Sequence, residues 1–143
     1  NFFGHATDRN PRVNYHATNS PGSTITADLH NNLMWFETWG TQADEKANVN
    51  VVKNFYNSLA GSTDASHAIN IAGSAQVHAS GNKSQDSVNV DGQSNHALFT
   101  LLPTKIDTDA CEAAMQIRDN AGARPLDSTD QGFVNDVVQT TRW

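Results

Sequence analysis

The sequence predicts an α+β fold, with helices packed on one face of a small antiparallel sheet. Three observations predict it. Apolar residues recur at helical spacing between Ile25 and Leu59, the period shortens towards two after Gly61, and Val88 to Gln116 places a turn, a strand and a capped helix in close order.

Residues 1–23, NFFGHATDRNPRVNYHATNSPGS, carry no apolar period and are punctuated by Pro11, Pro21 and Gly22. They read as an irregular N-terminal arm ahead of a single globular α+β domain over residues 24–143. Phe2, Phe3 and Tyr15 are the arm's candidates for contact with a neighbouring subunit. From Thr24 the spacing of Ile25, Leu29, Leu33 and Phe36 predicts a helix over 24–39, with Ser23 or Thr24 as its cap. Trp35 and Trp39 lie one turn apart on a flanking face, which either joins the core or forms a subunit interface, where Trp is enriched.

A second helix is predicted over 43–60, with Val52, Phe55, Tyr56 and Leu59 on its apolar side and Gly61 and Ser62 at its end. Alternation of Ile69, Ile71, Ala75 and Val77 with polar residues predicts a half-buried strand over 67–78, bent at Gly73. Strands follow at 87–91 and 96–102, and the Asp91-Gly92 pair between them is a hairpin signal. Thr108 or Asp109 opens a helix that Gly122 ends, and Phe133, Val134, Val137 and Val138 form a last apolar block, read as a bent strand. No internal repeat is visible.

The chain has 143 residues, one domain's worth, and can bury a core without disulfides or metal. Its hydrophobic fraction of 37% and charged fraction of 17% are low, and Asn, Ser, Thr, Ala and Gly fill the gap. Such a surface predicts an extracellular or cell-surface protein. A net charge of −6 with scattered Lys and Arg excludes a nucleic-acid footprint. Apolar runs are only a few residues long, which predicts no direct membrane insertion by this chain as given.

Cys111 is the single cysteine, so it has no intrachain disulfide partner. It reads as a small buried hydrophobe, or as half of a pair completed in another chain; the adjacent Glu112 argues against a reactive thiol. Six histidines, His5, His16, His30, His67, His78 and His96, show no metal-ligand spacing, although His78 and His96 could meet across a hairpin. HExxH, GxSxG, phosphate loops and calcium loops do not occur. No catalytic, cofactor-binding or metal residue is assigned, and no cofactor is expected.

Two stretches resemble known families. ANVNVVKNFYNSLAGSTDASHAINIAGSAQVHAS, opening at Ala47, resembles the first helix and strand of α+β barrel domains of the nuclear transport factor 2 and polyketide-cyclase type. That resemblance implies a pocket that binds or converts a small molecule. NVDGQSNHALFTLLPTKIDTDACEAAMQ is similar to the part of type IVb pilins and minor pilins where a strand leads into a helix whose early cysteine opens the D-region. Phe99-Thr100-Leu101 takes the strand, Asp107 to Asp109 the turn, Cys111 the cysteine, and KNFYNSLAGS at 53–62 the end of the long pilin helix. The second D-region cysteine has no counterpart. This resemblance implies a structural subunit of an extracellular filament or surface appendage, self-assembling with like subunits. A virion or other extracellular structural protein is the remaining alternative.

Overall fold

The computed structural model describes residues 2–6, 11–15, 23–36, 38–58, 65–85, 88–99, 108–120, 127–129, 131–132 and 135. Along them lie the strands β1 Phe2–Ala6, β2 Arg12–Tyr15, β3 Ile25–His30, β4 Leu33–Phe36, β5 Thr41–Glu45, β6 Ala47–Val52, β7 Phe55–Ser58, β8 Ile69–Ile71, β9 Gln76–Ser80 and β10 Lys83–Ser84. A one-turn helix α1, Ala65–Ala68, precedes β8, and helix α2 spans Ala110–Asn120. Every pairing is parallel and joins a strand to the third one after it, giving the sheets β1-β4-β7-β10, β2-β5-β8 and β3-β6-β9. The chain thus visits three sheets in turn and returns to the first one rung further on. That path is a parallel β-helix.

The expected helices on an antiparallel sheet are therefore corrected. The predicted helix at 24–39 is β3 and β4, and that at 43–60 is β5, β6 and β7. The predicted strand 67–78 is divided between α1, β8 and β9, with the turn at Gly73. Val90–Gln93 is a 3-10 turn where a hairpin was expected, and residues 96–99 form no strand. Within the stretch read as an irregular arm, β1 and β2 are the first strands of the first and second sheets. The helix expected from Asp109 is α2. The block at Phe133 to Val138 and the helix-ending glycines 61 and 122 lie outside the described residues, apart from Asn135.

Inward-pointing side chains stack rung on rung. Ala27, Val49 and Val77 are in register, as are Leu29, Val51 and Ala79, and Val13, Ala43 and Ile71. Apart from the partly buried Ala27, Leu29 and Ile71, these residues are buried, and all belong to one apolar cluster with Met34, Tyr56 and Ile69. The Tyr56 hydroxyl shares a 2.8 Å hydrogen bond with Thr41 Oγ1 inside it. Burial drives the phenol well above its ordinary range, so it stays neutral.

A polar ladder runs along the corner between the third and first sheets. Asn32 Nδ2 donates to Asn54 Oδ1 at 2.8 Å, 22 residues along the chain, and Asn54 Nδ2 donates to Asn82 Oδ1 at 3.2 Å, 28 further. Backbone N–H groups of Asn32 and Asn54 donate to the same two oxygens. Asn54 Nδ2 also reaches Leu29 O and Asn82 Nδ2 reaches Val51 O, closing the corner onto the preceding strand ends. The residue before each ladder amide, Asn31, Lys53 and Gly81, has a positive φ of 50°, 52° and 68°. A left-handed residue is what bends the strand sharply enough to aim the next side chain inward.

The last rung is closed by residues 90–95. Asp91 accepts from Gly81 N, Asn82 N and Asn82 Nδ2 at 2.7, 3.1 and 2.8 Å, ending the ladder on a group that only accepts. Asn95 Oδ1 and Ser94 Oγ accept from the backbone N–H groups of Val77 and Ala79, so the β9 edge does not face water unpaired. Val90, 1% exposed, plugs the core. Asn54→Ala is expected to lower unfolding free energy by at least about 2 kcal/mol, because several buried groups lose partners at once. Urea denaturation of the variant checks the loss.

Candidate functional site

Among the described residues, segments lie against the outer faces of the first and third sheets. On the first sheet Leu33, Trp35 and Phe55 point outward and lie under α2, against Ala114, Cys111 and Ile117. The buried face of α2 is built from Ala110, Ala113 and Ala114, small residues that let the helix sit close to the sheet. Met115 is exposed. On the third sheet the Asn50 amide imitates a neighbouring strand: Nδ2 donates to Phe99 O and Oδ1 accepts from Phe99 N, both at 3.0 Å. His96 stacks on Phe99 with ring centroids 4.3 Å apart.

The second sheet carries polar side chains outward. Register places Arg12 beside Gln42 and Gln42 beside Asn70, with Asn14 beside Asp44 on the next row. Asp44 organises the group: Oδ2 accepts from Arg12 Nε at 2.6 Å and pairs with Arg12 Nη2, and Oδ1 accepts from Gln42 Nε2 at 2.6 Å. Asp44 and Gln42 are buried, whereas the Arg12 side chain is 43% exposed and Asn70 is half-buried. Asn14 Oδ1 is buried and has no hydrogen-bond partner. A fixed carboxylate thus holds an exposed guanidinium in one place, which is how a surface Arg becomes preorganised for a ligand.

Aromatic rings flank this row. Trp39, two residues before β5, stacks on His67, two residues before β8, with centroids 4.7 Å apart and planes 8° from parallel. Gly40 permits it. Its N–H donates to His67 O at 2.7 Å, and a Cβ there would fall 2.5 Å from Ala68 O. The backbones of the two rungs approach so closely that only glycine fits.

The residues singled out from sequence are dispersed. Trp35 is buried under α2, Trp39 belongs to the aromatic stack, and Phe3 packs against the main core. Phe2 pairs through its backbone with Leu33 on the first sheet, and Tyr15 with Glu45 on the second. His78 Nδ1 lies 3.3 Å from His96 O, so the two histidines do come near each other, through a ring and a carbonyl. No group of three His, Cys, Asp or Glu capable of holding a metal occurs among the described residues. A concavity of about 340 Å³ beside the cap is lined by polar groups, Asn82, Lys83, Ser84, Asn89 and Asp91 among them. No helix among the described residues is long and apolar enough to cross a membrane. Arg12, Gln42, Asp44 and Asn70 escaped sequence reasoning because only the rung register brings them together. The signal present was alternation, polar at Gln42 and Asp44 around Ala43.

Comparison with protein-family models, curated proteins and solved structures found no match. The face is therefore interpreted from its own geometry.

Cys111 sits on α2, where burial first and the Asp109 carboxylate second push its thiol up, so it stays protonated near neutral pH. Asp109 caps the helix: Oδ1 accepts from Cys111 N at 2.9 Å, and that bond holds the carboxyl below its usual range. A depressed folded pKa stabilises the fold above the unfolded value, and this contribution is lost as pH falls through the folded one. Acid titration by circular dichroism should therefore show α2 weakening below the ordinary Asp range. Asp109→Asn should keep the cap without that pH dependence, and Asp109→Ala should cost about 1 kcal/mol.

Proposed function

We propose that this chain is an extracellular β-helix domain that binds a polysaccharide along the outer face of β2, β5 and β8. The observation that carries the reading is the exposed Arg12 guanidinium and the half-buried Asn70 on the second sheet, beside the Trp39–His67 stack. Planar amide and guanidinium groups hydrogen-bond vicinal hydroxyls, and an aromatic face takes the apolar side of a pyranose ring. The acidic chain and its sparse charged surface fit an uncharged, hydroxyl-rich contact better than a polyphosphate one.

Affinity electrophoresis in gels containing a panel of plant and microbial polysaccharides tests this. At least one polymer should retard the protein. Asn70→Ala should weaken that retardation about three- to tenfold, and Trp39→Ala about tenfold or more, with melting temperatures nearly unchanged for Asn70→Ala. Migration unaffected by every polymer would sink the reading.

A structural subunit of a surface appendage is the second proposal. The observation favouring it is the apolar side chain of Ile25 on β3, 37% exposed. It draws no support from the long pilin helix, because residues 55–58 of the stretch likened to it form β7. Electron microscopy of the native sample decides: regular fibres built from this chain support a filament role, and discrete particles alone exclude it.

A further inference from the structure

We propose that Asp91-Gly92 is a site of spontaneous backbone modification, where the aspartate converts to an isoaspartyl residue whenever the cap formed by residues 90–95 lifts from β9. This goes beyond the glycan reading and does not depend on it, since neither residue belongs to the second sheet.

Of the nine glycines in the sequence, Gly92 is the one that follows an Asp or an Asn. A glycine after aspartate favours this chemistry, because without a Cβ the peptide nitrogen swings most freely towards the carboxyl before it. The Gly92 nitrogen bonds to Asp91 Cγ, and the N–H proton and the carboxyl OH leave as water, closing a succinimide ring. Water then adds to the ring. When the bond between that nitrogen and the original main-chain carbonyl carbon breaks, the chain runs on through the former side chain and is longer by a methylene. A water leaves and a water returns, so nothing is oxidised or reduced.

In the closed cap both reacting groups are held. Gly81 N, Asn82 N and Asn82 Nδ2 draw the Asp91 carboxylate onto the end of the ladder. The Gly92 N–H donates to Asn89 O at 3.1 Å within the 3-10 turn Val90–Gln93. Ring closure must bring the carboxyl carbon onto that nitrogen, so it breaks both sets of bonds. The turn is in turn fastened to β9 by Ser94 Oγ and Asn95 Oδ1 and to the core by Val90. Water has access, because Gly92 is exposed and Asp91 lines the concavity of about 340 Å³ beside the cap. Opening a short surface turn costs less than unfolding the coils, so lifting of the cap sets the rate. The product does not close again. Its carboxylate sits directly on Cα and its backbone is longer, so it no longer reaches Gly81 and Asn82 while Val90 fills the core. The Val77 and Ala79 N–H groups at the β9 edge are then released.

Warm incubation of the full chain at neutral pH, with isoaspartate at position 91 read by electron-transfer mass spectrometry of a digest, tests the proposal. The native chain should accumulate it at least about tenfold more slowly than the same chain unfolded in guanidinium. Gly92→Ala should suppress it in both states, and this variant keeps the cap, because a Cβ there meets only the flexible Asn89 amide at 3.1 Å. Asn95→Ala loosens the cap without touching the reacting pair. It should raise the native rate at least about threefold, in step with faster hydrogen exchange at the Val77 and Ala79 amides. If Asn95→Ala does not fold, wild type in guanidinium below its unfolding midpoint decides, where isomerisation and exchange at Ala79 must rise together. The isolated isoaspartyl chain should exchange these two amides faster than the unmodified one. A native rate equal to the unfolded rate, a native rate that follows global unfolding alone, or isoaspartate that gathers at other aspartates and not at position 91 overturns the proposal.

Discussion

The corner at Asn32, Asn54 and Asn82 is the constraint on which the rest of the molecule depends. A β-helix must turn its chain at every corner without leaving buried peptide groups unpaired, and a corner repeated in register stacks the problem at about 4.8 Å intervals. An asparagine amide answers it. Its oxygen takes a side-chain N–H and a backbone N–H from the rung before, and its nitrogen gives to the rung after and to a strand-end carbonyl, as Asn54 does with Asn32, Asn82 and Leu29. Aspartate in mid-ladder would lack the donors, and glutamine would reach too far. At the end the requirement reverses, and Asp91, an acceptor with no N–H to leave unpaired, terminates the series.

Locked corners free the three faces for separate roles, and the outward residues assign them. Leu33, Trp35 and Phe55 make the first sheet's outer face apolar, so it demands a cover and receives α2. Asn50 presents a strand-like donor and acceptor on the third sheet and receives the Phe99 backbone. Arg12, Gln42, Asp44 and Asn70 make the second face polar, and on it Gln42 and Asp44 are buried. Its internal ion pair fixes the row without closing it, because Asp44 is buried while Arg12 remains partly in water.

The sequence misled where corners interrupt the strand period. Ile25, Leu29, Leu33 and Phe36 sit four, four and three apart, which matches a helix face, yet Leu29 points into the core from β3 and Leu33 points out towards α2 from β4. The coils also differ in length, 22 residues from Asn32 to Asn54 and 28 from Asn54 to Asn82, so no fixed period could reveal the repeat. Ladder asparagines look like surface polar residues until their register is known. What was legible was local: the Asp109 cap of α2, and the burial of Ile69 and Val77 from alternation, although the two lie in different sheets. The candidate binding row was invisible for the same reason as the fold, since its members are some thirty residues apart and meet only across rungs.

In a solenoid each coil contacts only its neighbours, so stability is close to a sum of coil and interface contributions, and the terminal coils are the weak points. The coil that ends in β9 meets this weakness with a plug in Val90, with Ser94 and Asn95 taking the edge N–H groups of Ala79 and Val77, and with the Asp91 carboxylate on its ladder. One short segment, residues 90–95, thereby closes core, edge and corner together, because each of the three presents a different group to it: an apolar interior, a row of donors and an amide that still has N–H to give.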